Sequence, residues 1–314
     1  MQELNASPPI TPANDLNHTE MTLPNLTYVL ITPARNEEGF IEQTIQAVIA
    51  QTARPRQWVI VSDGSTDHTD EIVRRYMVEN SWIQFVRMPE HRDRHFAAKV
   101  QCFNAGYATI RGENADIIGN LDADITFERD YFEFLLDKFG SDSRLGVAGT
   151  PFVEGGTSYN FKFSAVEHVS GGCQLFRWEC FDQIGGYQQV KGGGIDWIAV
   201  TTARMKGWRT ETFPERVCYH HRPMGTASVG RLKANFLLGK QDYYLGGHPL
   251  WQLFRGCYQL GRRPYLMGGT CLLAGYFWAW IQRLPRPVSD DLIRFHRREQ
   301  MLRLQQRLSK LRAT

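Results

Sequence analysis

Two carboxylates on alternate positions, Asp122 and Asp124, follow the largely apolar run Ala115-Asp116-Ile117-Ile118-Gly119-Asn120-Leu121 without a break. Alternate side chains of an extended segment share a face, and open α/β folds take ligands at the carboxyl ends of their strands. Two hard oxygen donors there suit a divalent cation, Mg²⁺ or Mn²⁺, that carries a nucleotide's phosphates. An Asp-x-Asp triplet standing alone is more often a turn, so the assignment depends on what the chain brings beside it. The candidates are Asp63 in Ser62-Asp63-Gly64-Ser65-Thr66-Asp67, Asp196 behind the run Gly192-Gly193-Gly194, and the pair His220-His221.

The elements that must position these groups alternate. Thr27–Thr32 is a β-rich run, and after the loop Pro33–Gly39 the residues Phe40, Ile41, Thr44, Ile45, Val48 and Ile49 recur at helical spacing. Trp58–Val61 predicts a second strand, and Thr66 or Asp67 caps a helix with Ile72, Val73, Tyr76 and Met77 inward. Ile83–Val86 predicts a third strand, Phe96–Arg111 a third helix, and the run into Asp122 a fourth strand. This alternation predicts an α/β fold with a mostly parallel sheet flanked by helices and right-handed crossovers. The first βα turn lacks Gly-x-Gly-x-x-Gly and no Gly-x-x-x-x-Gly-Lys-Ser/Thr occurs, which argues against a dinucleotide site and a P-loop.

Four segments in this order resemble glycosyltransferase family 2: Thr32-Pro33-Ala34-Arg35-Asn36-Glu37-Glu38, Ser62–Asp67, Asn104-Ala105-Gly106 and Leu121-Asp122-Ala123-Asp124. The resemblance runs from about residue 27 to 225. It implies a Rossmann-like GT-A domain that transfers a sugar with inversion from a nucleoside diphosphate donor, UDP-sugars favoured, with a divalent cation. Pro33, Ala34, Arg35 and Glu37 would close over the nucleoside, Arg35 near ribose or phosphate and Glu37 on a ribose hydroxyl. Asp63 would read the base edge, although the family's usual Asp-Asp-Gly-Ser is Ser62-Asp63-Gly64-Ser65 here. Asp122 would contact ribose or metal, and Asp124 would be the main metal ligand.

Ser170–Arg177 resembles the family's glycine-rich segment beneath the acceptor, with Gly171, Gly172 and Trp197 as acceptor-binding residues; a tight turn before a strand is an equal reading. Where the family carries Glu-Asp at a helix start, this chain has Ile195-Asp196. Inverting transfer needs a carboxylate within hydrogen-bond reach of the acceptor hydroxyl. Asp196 is therefore the expected base, a helix N-cap being its competing and compatible role. In this family a histidine placed like His220 or His221 can complete the metal site, and in a strand only one of them can face it; His220 is favoured. Arg222 would neutralise the leaving diphosphate, while Asp130, Asp182, Arg204 and Lys206 read as solvated.

At 314 residues and 42% hydrophobic the chain suffices for one large or two smaller domains. Its net charge of +3 hides a basic tail: Arg283–Thr314 holds nine Lys/Arg against three Asp/Glu. That asymmetry favours an acidic membrane surface over nucleic acid as partner. The six cysteines lack metal-finger spacing and read as reduced thiols. Residues 1–26 read as a disordered lead-in without a signal peptide, and the sequons at Asn5, Asn17 and Asn25 as chance.

Residues 27–230 then form the catalytic domain, and 231–314 a helical region. Pro264–Gln282 carries no charge but is diluted by glycines and flanked by arginines at both ends, which defeats the positive-inside rule. It is read as a transmembrane helix, an interfacial or re-entrant hairpin, or a buried helix. Met301, Leu304, Leu308 and Leu311 share one face of the tail, as in a basic amphipathic helix on anionic lipid; a surface-packed helix is the alternative. These cues predict a protein at the cytoplasmic face of the cell membrane, associated or single-pass, acting on a lipid-linked or polysaccharide acceptor. Two other classes compete: a sugar-nucleotide pyrophosphorylase, whose glycine-rich loop Pro33–Asn36 lacks, and a non-catalytic nucleotide-sugar-binding membrane partner.

Overall fold

The computed structural model describes residues 26–90, 96–154, 157–158, 166–190, 192–222, 230–261 and 265–312. The lead-in, the sequon asparagines, Arg262-Arg263 and the Leu311 side chain lie outside the described residues.

Four strands lead the chain: β1 (Tyr28–Ala34), β2 (Gln57–Ser62), β3 (Ile83–Arg87) and β4 (Ile117–Leu121). They are linked by α1 (Ile41–Ile49), α2 (Thr69–Glu79) and α3 (Phe96–Ile110). Next come β5 (Ile125–Phe127), α4 (Tyr131–Ser141), β6 (Leu145–Gly149), β7 (Phe152–Glu154), β8 (Thr157–Ser158) and β9 (Cys173–Arg177). The domain closes with α5 (Trp178–Ile184), α6 (Ile195–Met205), β10 (Arg209–Thr212) and β11 (Cys218–His220). Four helices follow: α7 (Arg231–Tyr244), α8 (Pro249–Leu260), α9 (Met267–Ile281) and α10 (Asp290–Arg312).

The main sheet runs β10-β6-β9-β4-β1-β2-β3. Alternation explains its two cores: Val29, Ile31, Val59 and Val61 face α3 and α6, while Tyr28, Leu30, Trp58 and Ile60 face the α1 and α4 side. Every residue of β2 and β4 is buried, as expected of strands covered on both faces. The buried Trp58 indole is satisfied by donating to Thr32 Oγ1 at 2.9 Å. The sheet is parallel except for β9, which runs antiparallel to β4 and β6. Its start therefore lies beside the end of β4, with Leu121 opposite Cys173, and Gly171-Gly172 next to the carboxylates. A second sheet, β5-β11-β7-β8, pairs Ile125 with His220.

The C-terminal helices bear on two of the open readings. Among the described residues no helix is long and apolar enough to cross a membrane. α9 has 15 residues, about 22 Å of helix against a hydrocarbon core of about 30 Å. It packs against α7 so closely that a Cβ at Gly239 would lie 1.9 Å from the Leu272 carbonyl oxygen and one at Gly275 2.0 Å from that of Phe236. Among the described residues no helix within 264–282 is long enough to support the spanning reading.

The basic tail is also not a free lipid-binding helix. Leu292, Ile293 and Leu304 of α10 are buried in the protein. Arg204, expected to be solvated, donates to Glu299 of α10 at 2.8 and 3.1 Å and to the Glu167 carbonyl at 3.0 Å. Asp130 is ion-paired with Arg216 at 2.6 Å, and Asp182 accepts from Tyr107 at 2.9 Å. Lys206 is exposed as expected. All six cysteines are free thiols.

Candidate active site

β4 ends at Leu121, and Ala123 and Asp124 form a turn into β5. The triplet is thus a turn and a site at once, rather than an extended pair. Thr44 Oγ1 donates to the buried Ala123 carbonyl at 2.8 Å, and Asp122 N–H donates to the Gly172 carbonyl at 2.7 Å. Those bonds fix the turn, and with it the directions of the two carboxylates.

Asp124 is 7% exposed. Its Oδ2 lies 3.5 Å from His220 Nε2 and 3.9 Å from Arg222 Nε. Burial raises its carboxyl above the usual range, as does Asp122, against the pull of His220, Arg222 and Lys99. His221 turns away: its N–H donates to the Asp124 carbonyl at 3.0 Å, and its Nε2 lies 2.7 Å from Thr126 Oγ1. His220 is thus the histidine that meets the carboxylate, and His221 does not, as alternation allows only one of the pair to do so.

A divalent cation fits this pair, on the chemistry of the donors. A carboxylate and an imidazole converge, and His220 Nδ1 is buried without a hydrogen-bond partner among the described residues, leaving the ring undirected by protein on that side. Among those residues no three His, Cys, Asp or Glu side chains gather to hold a metal unaided. Such a donor set suits an ion that takes its remaining ligands from phosphates and water.

Asp122 is held otherwise. Lys99 Nζ donates to its Oδ1, which Asn120 Nδ2 approaches at 3.4 Å. Burial disfavours the Lys99 charge, but Asp122 outweighs it, and the ammonium stays above its ordinary value. Sequence reasoning missed Lys99: it lies at the start of α3, where periodicity marks only the apolar residues.

The nucleoside loops are stapled to each other. Asn36 sits at φ 55, in the left-handed region, and its Oδ1 accepts from Thr66 N–H at 2.9 Å. Glu37 N–H donates to Thr69 Oγ1 at 2.7 Å, and Glu38 N–H to Asp67 Oδ2 at 3.1 Å. These bonds set Pro33–Glu37 beside Asp63, which is buried and lies 3.4 Å from Arg35 Nη1. Arg35 thereby reaches the expected base end of the site. Arg222 closes the other end by donating to Glu37 and, at 3.2 Å, to the Asn36 carbonyl.

Burial raises the Glu37 carboxyl from 4.5 to about 7; Arg222 pulls it down, and Asp124, Asp122 and Asp67 push it up. The sign follows: unfolded Glu37 ionises near 4.5 and native Glu37 near 7. Stability from this group is therefore full at low pH and lost as pH rises through 7. In ligand-free protein, Glu37→Gln should raise the melting temperature relative to wild type by an amount that grows between roughly pH 5 and pH 8. A pH-independent difference in melting curves would contradict this.

Asp196 lies in the first turn of α6, whose N-cap is Gly194, so the carboxylate does not serve as the N-cap. Its Oδ2 accepts instead from Gly171 N–H at 3.2 Å. Gly171 is required there: a Cβ would stand 2.9 Å from Asp196 Cβ. Gly171→Ala should push the carboxylate aside and lower kcat by about 100-fold with little change in donor KM; an unchanged kcat would remove this role from Gly171.

A cavity of about 260 Å³ is lined by Lys99, Asp122, Ser170, Gly171, Asp196 and His220, among others. It joins the Asp122–His220 edge to Asp196 across Gly171-Gly172. A second cavity, about 670 Å³, opens on the other side of Asp196 toward Trp197 and the C-terminal helices. Trp197 packs edge-on against His296 at 4.5 Å. His168, also in this second lining, is held below its usual pKa by burial, against the pull of Asp196. Neither His168 nor His296 carried a signal in the sequence.

The sheet order and the acidic strand-end site together define a GT-A type nucleotide-sugar domain. Residues 29–189 match the family described as glycosyl transferase family 2, and the chain belongs to that family.

A poly-beta-1,6-N-acetyl-D-glucosamine synthase of Staphylococcus aureus (strain MSSA476) is 30% identical over 157 residues, 50% of this chain and 35% of that protein. One from Staphylococcus epidermidis is 26% identical over 136 residues, 43% of this chain and 31% of that protein. The chain thus spans about a third of the length of these relatives. Among solved structures, the mannosyltransferase PcManGT from Pyrobaculum calidifontis, in complex with GDP-Man and Mn²⁺, has a TM-score of 0.57 at 19% identity, covering 82% of this chain and 88% of that one. S. aureus TarS 1-349 in complex with UDP-GlcNAc has a TM-score of 0.51 at 13% identity, covering 82% and 73%. At such identities the likeness is one of fold.

Proposed function

We propose that the protein transfers a sugar, with inversion, from a nucleoside diphosphate sugar to a hydroxyl of a glycan acceptor, and that Asp196 is the base. The carrying observation is that Asp196 and the Asp122–His220 edge line one cavity, with Gly171 N–H fixing the Asp196 carboxylate. In the reaction the acceptor oxygen forms a bond to the anomeric carbon, and its proton passes to Asp196. The bond from that carbon to the diphosphate breaks, leaving negative charge on the departing phosphate. Arg222, on the Asp124 side, supplies positive charge there. Asp124 and His220 would hold the divalent cation, which when bound neutralises diphosphate charge. Arg35, Glu37 and Asp63 would bind the nucleoside.

The relatives' name makes an N-acetylglucosamine donor the first to try, and UDP remains the favoured nucleotide. A panel of nucleotide sugars with Mn²⁺ should raise the melting temperature for one donor well above the rest. No shift with any donor would contradict the reading.

The region 231–314 is assigned to attachment at a membrane surface, supported by an apolar stripe on α9. Met267, Thr270, Ala274, Trp278 and Ile281 recur at helical spacing and are all exposed, Ile281 to 71%. A solvent-facing helix stripe is ordinarily polar. Leu250, Leu253 and Cys257 repeat the pattern on α8, and Lys240 lies over the Trp278 ring at 5.5 Å. The stripe favours lying in the interface over crossing it. Trp278→Ser with Ile281→Ser should abolish co-sedimentation with anionic vesicles; unchanged co-sedimentation would contradict the assignment.

A further inference from the structure

The larger cavity lies between α6 and the helices α7, α8 and α10, outside the nucleotide loops. It shares Ser170, Gly194 and Asp196 with the smaller one, so it begins at the expected base. From there it follows α7. Gln241, whose Nε2 would stand 3.6 Å from a Cβ on Gly194, marks the end beside Asp196. Asn235 lies six residues earlier on the same helix, about 9 Å along its axis. It meets Gln259 of α8 at Gly268, where a Cβ would lie 3.3 Å from Asn235 Nδ2 and 3.6 Å from Gln259 Nε2. Both residues line the cavity, so it extends well past the reacting hydroxyl.

The lining has a chemistry of its own. Side-chain amides, each both donor and acceptor, are set along it with the aromatic rings of Trp197, Trp251 and Tyr258. Amides satisfy hydroxyls, which also donate and accept, and rings cover the apolar face of a pyranose. Of the charged lining residues besides Asp196, Asp242 is paired with Arg255 at 2.5 Å and Arg303 lies 3.5 Å from Glu167, while Arg307 adds a further positive side chain. These pairings leave the wall closer to neutral than its residue types suggest. At about 670 Å³ the space is in the range that encloses a drug-sized ligand.

We propose that this cavity is an extended acceptor subsite for a neutral oligosaccharide, binding units beyond the one that reacts at Asp196. The inference rests on the glycosyl-transfer reading and names the acceptor class of that site. The acceptor's growing end enters at Asp196, and the older units run along α7 toward Asn235 and Gln259. A chain carrying only a monosaccharide would forgo the far contacts. Affinity therefore rises with acceptor length until the cavity is filled.

The test measures transfer by the full-length protein to β-1,6-linked N-acetylglucosamine oligomers from the dimer to the hexamer, with donor KM recorded alongside. Acceptor KM should fall about tenfold from the shortest to the longest oligomer. Gln259→Ala and Tyr258→Leu should each abolish that length dependence, while leaving the dimer's KM, kcat and donor KM unchanged. Gln259 is half-buried and Tyr258 exposed, so neither change threatens the fold. A wild-type KM independent of length, variant losses equal on all oligomers, or transfer confined to a lipid diphosphate sugar would each overturn the proposal. Failure to bind or turn over any donor would instead refute the glycosyl-transfer reading on which it rests.

Discussion

Asp196→Asn should lower kcat for transfer by about 10³-fold, within the range general-base catalysis contributes, and leave donor binding intact. The amide is isosteric and can still accept from Gly171 N–H, so the α6 start and the cavity wall should persist. What it cannot do is take the proton of an attacking hydroxyl. Steady-state kinetics with saturating donor, and donor-induced thermal shifts on the same protein, separate the two effects. A variant with full kcat would remove Asp196 from the chemistry. One that had lost the donor shift as well would make it a structural residue.

The second large effect concerns the opposite wall. Asp124→Ala should lose at least about 100-fold in kcat/KM, since even residues behind a metal's direct ligands cost 10–100-fold in affinity when replaced. The loss should appear in metal-dependent donor stabilisation, in contrast to Asp196→Asn. Removing this carboxylate also leaves His220 and Arg222 facing each other without the anion between them. Titrating Mn²⁺ into wild type and variant in the presence of UDP, followed by melting temperature, reads the difference. An unchanged Mn²⁺ dependence would place the cation elsewhere.

Much of this arrangement was legible in the sequence because it depends on strand ends. Asp63 and Asp122 each follow a buried run, and alternation left only one of His220 and His221 able to face the site. Asp124 was legible as a ligand, but the turn at Ala123 and Asp124 was read only as the alternative to a site, because a turn and a ligand pair use the same residue types. Lys99 was invisible, since nothing local distinguishes a lysine that pairs across the sheet end from a solvated one. Arg204 misled for the same reason: its partner Glu299 is 95 residues away on α10. The C-terminal run stayed open between three readings because an uncharged, glycine-bearing stretch of that length suits a bilayer, its interface and a buried helix alike. The close α7–α9 contact at Gly239 and Gly275 is contained only in the tertiary structure.

The configuration of the product tests the central claim most directly. Supplied with α-linked UDP-N-acetylglucosamine, Mn²⁺ and an oligosaccharide acceptor, the protein should yield a product whose newly formed anomeric proton shows β configuration by ¹H NMR. Attack opposite the leaving diphosphate, with Asp196 on the acceptor side and Arg222 on the phosphate side, requires that outcome. An α-linked product would contradict it, because retention cannot arise from a single displacement between those two walls.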